Sequence, residues 1–135
     1  MSWIVDCSMA MAWCFADEAT PRTEALLDRL ESEAAVAPLH WSLEVANVLR
    51  GAVRRGRLTK ARAAQKAAAL MSLPVRYDNL THQLALTTIY QLAEKHKLTS
   101  YDAAYLELAM RLGLPLASND ADLIRAAKEA GVAVL

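Results

Sequence analysis

Four short stretches of the 135-residue sequence each carry an acidic side chain that neither folding nor solubility obviously requires: WIVDCS at Asp6, WSLEVAN at Glu44, TSYDAAY at Asp102 and ASNDADL at Asp120. Brought together, these carboxylates make a site for a hard divalent cation such as magnesium or manganese, which prefers oxygen ligands and keeps waters for a substrate to displace. Several carboxylates in one place repel one another and hold protons unless a cation is present. The chemistry that follows is hydrolysis, with a cation supplying an activated water and stabilising charge on a leaving oxygen.

Each acid also has an ordinary account. Asp102 stands three residues after Thr99, the spacing of a capping box. Asp120 can cap the helix that follows it, with Asn119 or Ser118 as alternatives. Asp6 is harder to dismiss, because a carboxylate bordering Trp3, Ile4 and Val5 is desolvated unless something neutralises it. Glu44 and Asn47 fall together at the border of an apolar stripe formed by Trp41, Val45, Val48, Leu49 and Ala52. Taken singly, capping explains Asp102 and Asp120; the joint occurrence of four acids is what favours a site.

Holding four such residues together requires a scaffold, and the chain alternates short apolar runs with long helical patterns. Residues 3–7 predict a buried strand, with Ser8 available to cap a helix over 9–16. Pro21 opens a second helix over 21–33. A strand over 34–38 closes on Pro38, and a helix covers 40–55. Gly56 breaks that pattern, Thr59 caps an alanine-rich helix over 60–71, and Pro74 precedes a short strand at 75–77. One long helix is expected over 81–97 and another over 99–113, ending at Gly113. A strand at 114–118, a helix at 120–131 and a final strand at 132–135 complete the pattern.

This alternation predicts an α/β fold, a mostly parallel sheet covered by helices on both faces, in a single domain over residues 1–135. Open α/β sheets bind ligands outside the carboxyl ends of their strands. Asp6 ends the first strand and Asp120 follows a later one, so both emerge at one edge. Asp102 and Glu44 stand in the first turns of helices whose N-termini approach it.

Composition narrows the reading. With 55% hydrophobic residues, the chain can close one continuous core. Fifteen basic and fifteen acidic residues cancel, which argues against strong sequence-independent attraction to nucleic acid. The basic residues are uneven, however: Arg50, Arg54, Arg55, Arg57, Lys60, Arg62 and Lys66 succeed one another without an acid. As a patch this reads as solvated helix faces; its place directly after Glu44 makes it a candidate phosphate rim. Cys7 and Cys14 lack a CxxC spacing or a neighbouring histidine and read as reduced core thiols. Met9, Met11, Trp13 and Phe15 read as core rather than as a docking face. His40, His82 and His96 read as surface or boundary residues, which disfavours a histidine-pair mechanism. Neither a membrane-spanning run nor a signal peptide is expected, so the chain reads as cytoplasmic.

The strand ending in Asp6 with Ser8 two residues later, the E-V-A-N-V-L helix, the T-S-Y-D-A-A-Y-L-E-L-A segment and the A-S-N-D-A-D-L ending resemble a PIN domain. The nearest type is the VapC toxin of toxin–antitoxin pairs. Each motif is weak alone; the ordered set, spanning essentially the whole chain, is specific. The resemblance implies a three-layer α/β/α fold with a central parallel sheet and Mg2+- or Mn2+-dependent endoribonuclease activity. It also implies homodimers and inhibition by a cognate VapB-type antitoxin, with transfer RNA the common class of RNA substrate.

Position by position, the family's four catalytic acids become Asp6, Glu44, Asp102 and Asp120. Asp6 and Asp102 would be the main metal ligands, Asp120 would complete the pocket, and Glu44 would orient water. Asp122 ranks below Asp120 because it lies further into its helix. Ser8, Asn47 and Ser118 match polar positions lining the pocket, with Asn119 weaker. Arg50 and Arg54, with Arg55 and Arg57, would hold the phosphates flanking the cut bond, or contact the antitoxin.

Other classes fit less well. A phosphoacceptor receiver domain needs adjacent acids early and a lysine after its last strand, whereas Asp6 lies between Val5 and Cys7 and residues 132–135 carry no lysine. A haloacid-dehalogenase-type phosphatase needs a second acid where Ser8 stands. A PIN-like binding module that has lost catalysis would have lost acids that are all present here.

Overall fold

The computed structural model describes residues 1–135. Trp3, Ile4 and Val5 are fully buried in β1 (Ser2–Val5), an apolar run with no solvated face, as a central parallel strand requires. It pairs in parallel with β2 (Ala34–Pro38), which pairs with β3 (Val75–Asp78), and on its other side with β4 (Leu116–Ala117), giving the order β3-β2-β1-β4.

Helices α1 (Cys7–Cys14) and α2 (Pro21–Arg29) lead from β1 to β2, and α3 (Trp41–Arg54) and α4 (Lys60–Met71) lead on to β3. The return to β4 runs through α5 (Thr81–Leu84), a π-helical turn (Ala85–Ile89), α6 (Tyr90–His96) and α7 (Ser100–Leu112), and α8 (Ala121–Glu129) follows β4. The strand order steps outward from β1 to β3 and then back past β1 to β4, and with the right-handed crossovers that parallel connections take, such a path puts the two sets of helices on opposite faces. Helix α7 packs across β1, β2 and β4. The reversal of direction makes the crevice between the ends of β1 and β4 a topological switch point, where open α/β sheets bind ligands.

The structure departs from the sequence-based expectation at the ends of elements. Helix α1 is capped by Asp6, whose side chain accepts from the Met9 amide, rather than by Ser8. Helix α2 stops at Arg29, four residues early, where Glu33 turns back to bind the Arg29 guanidinium and Trp3 Nε1. The single helix expected over 81–97 is interrupted by the π turn. Leu84 and Ile89 are five residues apart, and both pack with Ala103 and Ala104; an i→i+5 turn puts that spacing on one face. The final strand at 132–135 is reduced to one parallel bridge between Leu116 and Val134, because β4 offers only two residues to pair with. Gly113 ends α7 with φ of 65°, a left-handed geometry that costs glycine nothing.

Candidate active site

Asp6 is 3% exposed, and no basic side chain reaches it. Its carboxylate instead accepts from Ser8 Oγ at 2.7 and 2.9 Å, Ser118 Oγ at 2.5 Å and the Met9 amide at 3.0 Å. The same two hydroxyls accept the amides on the far side of the crevice, Ser8 from Asn119 at 2.8 Å and Ser118 from Asp120 at 2.9 Å. Two serines thus stitch the end of β1 to the end of β4 through one buried carboxylate. Burial pushes Asp6 up to about 6, and the Asp120 charge adds to this, against the lowering by its three donors.

The other acids surround this point. Asp102 lies in the first turn of α7, where its amide donates to Thr99 Oγ1 at 3.1 Å. That is half of the expected capping box; the Thr99 amide does not bond the carboxylate. Asp102 too is pushed up to about 6, first by burial and then by the charges of Asp120, Glu44 and Asp6. Asp120 caps α8 through Oδ1 on the Leu123 amide at 2.8 Å, as the ordinary account foresaw. Burial and the charges of Glu44, Asp6, Cys14 and Asp102 push the Cys7 thiol up to about 12, keeping it a neutral thiol beside the pocket. Asp122 is 3.9 Å from Arg125 on an exposed face.

Glu44, half-buried in the first turn of α3, accepts from Tyr105 OH at 2.5 Å and lies 3.3 Å from His40 Nε2. Burial raises the Tyr105 phenol well above its ordinary value, and the bond to Glu44 adds to it, so it is a fixed donor. His40 Nε2 also reaches the Tyr101 carbonyl at 3.2 Å; both neighbours are acceptors, which places the proton on Nε2. Burial holds His40 below its ordinary pKa. The sequence reading set His40 aside as a boundary residue and did not single out Tyr105, although His40 precedes Glu44 by one helical turn and Tyr105 follows Asp102 within one. Substituting Tyr105→Phe removes the donor and leaves the ring. The expected result in steady-state cleavage is a kcat lower by about tenfold with KM unchanged, the effect of losing a hydrogen bond to a charged group.

A third residue beyond the sequence reading is Arg22 on α2. Its guanidinium donates to the Ser118 carbonyl at 2.8 Å, Asn119 Oδ1 at 2.7 Å and the Leu135 carbonyl at 2.7 Å. It clamps the loop that carries Ser118 and Asp120. Of the basic rim, Arg57 is committed elsewhere, to Asp17 and Glu18 and over the Phe15 ring at 3.8 Å, and Lys66 donates to the Cys14 carbonyl. Arg50 and Arg54 are exposed and make no ion pair.

Electrostatics and burial together separate the four acids from the rest, since the other acids without an ion pair, Glu24, Asp28, Glu31 and Glu94, are all exposed. Glu33, Asp78, Glu107 and Glu129 each face an arginine, whereas Asp6, Glu44, Asp102 and Asp120 face no lysine or arginine at all. All their ligating atoms are oxygens, the Asp120 charge raises Asp6, and the charges of Asp120, Glu44 and Asp6 raise Asp102, so the pocket suits a hard cation. No three acidic, histidine or cysteine side chains close to ligating distance about one point. Magnesium does not require this, since it binds through one or two carboxylates and keeps several waters.

A parallel sheet with a carboxylate-lined crevice at its switch point defines an open α/β fold with its ligand site at the strand ends. Residues 4–129 match the model of the PIN domain. Ribonuclease VapC12 of Mycobacterium tuberculosis is 36% identical over 104 residues, 77% of this chain and 78% of the relative. The chain belongs to the PIN domain family, in its VapC ribonuclease branch. Among solved structures, the Mycobacterium tuberculosis toxin VapC20, which cleaves the sarcin–ricin loop, superposes with TM-score 0.67 at 19% identity, covering 100% of this chain and 98% of that one. VapBC2 from Rickettsia felis, bound to a DNA fragment from its promoter, superposes with TM-score 0.67 at 12% identity, again covering 100% and 98%.

Proposed function

We propose that this chain is the toxin of a VapBC-type pair, an endoribonuclease that hydrolyses RNA phosphodiester bonds at the crevice between β1 and β4. The observation that carries the reading is the set of four buried or half-buried acids without a lysine or arginine partner at the switch point, in a chain 36% identical to a VapC ribonuclease. Asp6, Asp102 and Asp120 would hold a Mg2+ or Mn2+ ion, one or two of them directly and the rest through its waters. When bound, that ion supplies an activated water and stabilises charge on the phosphate and leaving oxygen.

The chain's own residues do the rest. Ser8, Ser118 and the Met9 amide fix the Asp6 oxygens. Tyr105 holds Glu44 through Oε1 as an acceptor for the attacking water. Arg22 fixes the loop carrying Asp120. A homodimer and a cognate VapB-type antitoxin belong to the same proposal; likeness to a VapBC complex supports the antitoxin. No helix is long and apolar enough to cross a membrane.

The test is incubation of purified, antitoxin-free protein with total RNA, with magnesium, with manganese and with chelator. Discrete fragments that need the metal are expected, and their ends give the substrate. An intact RNA pool with either metal would sink the hydrolytic reading and leave a protein-binding module.

A further inference from the structure

Beside Glu44 lies an open cleft of about 530 Å³ lined by His40, Leu43, Glu44, Asn47 and Tyr101. Folding leaves its rim in solvent: Tyr101 is 63% exposed and Leu43 74%. The wall is nevertheless held from behind. The His40 ring packs against Tyr101 and Tyr105 at 5.7 and 5.1 Å between centroids, and its Nε2 lies 3.2 Å from the Tyr101 carbonyl. The cleft borders the acids directly, because Tyr101 precedes Asp102 and Asn47 lies one turn beyond Glu44.

The cleft continues along α3. At about 100° per residue, Leu43, Asn47, Arg50 and Arg54 fall within a sector of about 60°, and about 10 Å of helix separates Asn47 from Arg54. All four are exposed. An exposed aromatic ring next to an amide and then two unpaired guanidinium groups is the order of contacts a single strand needs: a platform for a base, a polar edge reader and cations for the backbone. A docking helix from a protein would want a row of apolar anchors at this spacing, and only Leu43 supplies one.

We infer that single-stranded RNA lies along this stripe of α3, with a base beside the cut bond stacked on Tyr101, its edge against Asn47, and the adjoining phosphates held by Arg50 and Arg54. This rests on the nuclease reading above.

Binding of short, labelled, random-sequence single-stranded RNA is measured by fluorescence anisotropy over a salt series, in an Asp6→Asn background that does not cut. Tyr101→Ala weakens binding by about 5- to 150-fold, the equivalent of roughly 1–3 kcal/mol for one stacked base, while Tyr101→Phe retains it. Arg50→Ala with Arg54→Ala lowers the slope of log affinity against log salt by about 1.4, at roughly 0.7 per phosphate. Unchanged affinity and slope overturn the track. So does a Tyr101→Ala protein that loses only a co-expressed antitoxin, which would give the cleft to a protein. The two readings fail separately. Wild-type protein that cuts RNA, with variants that bind and cut like it, removes the track alone. Tyr101-dependent binding by wild-type protein that cuts nothing removes hydrolysis alone. Neither binding nor cutting removes both.

Discussion

Asp6→Asn abolishes metal-dependent cleavage yet stabilises the metal-free protein at pH 7.5. Loss of the central carboxylate removes the charge that attracts the cation, and a drop of about 10³-fold or more is expected, several kcal/mol of transition-state stabilisation. The gain in stability follows from burial. Asp6 is raised from 3.8 to about 6 with no positive partner, which corresponds to roughly 3 kcal/mol of unfavourable charge in the folded state at neutral pH. The folded state holds this proton more tightly than the unfolded chain. Its contribution is therefore favourable in acid, and stability falls as pH rises from about 4 through about 6 and stays low above that.

Asparagine carries no such charge and keeps one oxygen to accept the Met9 amide. The variant should melt several degrees above wild type at pH 7.5 in chelator, by about 3–5 °C per kcal/mol for a domain of this size, and lose that advantage near pH 4. Magnesium should then raise the wild type by mass action and leave the variant where it was. A variant that melts below wild type at both pH values would mean that Asp6 serves as a structural cap and that its burial carries no stored cost.

How much of this was legible follows from how local each determinant is. The strand at Trp3–Val5 announced itself through consecutive apolar residues, and the alternation of runs predicted the parallel sheet and the edge at which Asp6 and Asp120 emerge. Cap identity was less readable: both Asp6 and Ser8 suit an N-cap, and the choice depends on Ser118, 112 residues from Asp6 along the chain and 2.5 Å away in space. The same holds for Arg22, which reaches Ser118 across 96 residues and carries no local signal of its task. The run at 132–135 looked like a strand because it is apolar, but a ladder needs a partner of equal length, and β4 has two residues. In the π turn the cue was present as the five-residue interval between Leu84 and Ile89, which a reading at 3.6 residues per turn passes over.

The serines show how two of the acids, Asp6 and Asp120, are held relative to each other. Each hydroxyl has one proton to give and lone pairs to accept with. Ser8 and Ser118 give theirs to Asp6 and accept amides from the loop that holds Asp120. The position of Asp120 relative to Asp6 is thus set by groups that neutralise neither. Positioning is supplied by neutral donors, and the negative potential is left uncompensated.

The largest purely structural effect is expected at the outer end of α7, from Arg111→Met. Arg111 binds two carboxylates at once: Glu107 through Nε at 2.8 Å and Nη2 at 3.1 Å, and Asp78 through Nη1 at 3.1 Å and Nη2 at 2.8 Å. The Glu107 side chain is only 4% exposed, so removing the guanidinium leaves a buried charge without a partner, at a cost of about 3–5 kcal/mol. That is a large fraction of the 5–15 kcal/mol that usually holds a domain together. It also frees the end of β3 from the helix that carries Asp102 and Tyr105. Two controls separate this from lost packing. Glu107→Gln added to Arg111→Met removes the orphaned charge and should recover about half or more of the loss, since a whole buried pair can be replaced at little cost. Asp78 is held below its ordinary value chiefly by Arg111, so its share of the stability is present above about pH 4 and is lost as pH falls further; the penalty of Arg111→Met should shrink accordingly in acid. Urea unfolding of the three proteins at pH 7.5 and pH 3 measures both. A penalty under about 1 kcal/mol at pH 7.5 would show that solvent reaches Glu107 in solution and that the charge on α7 is not held by Arg111.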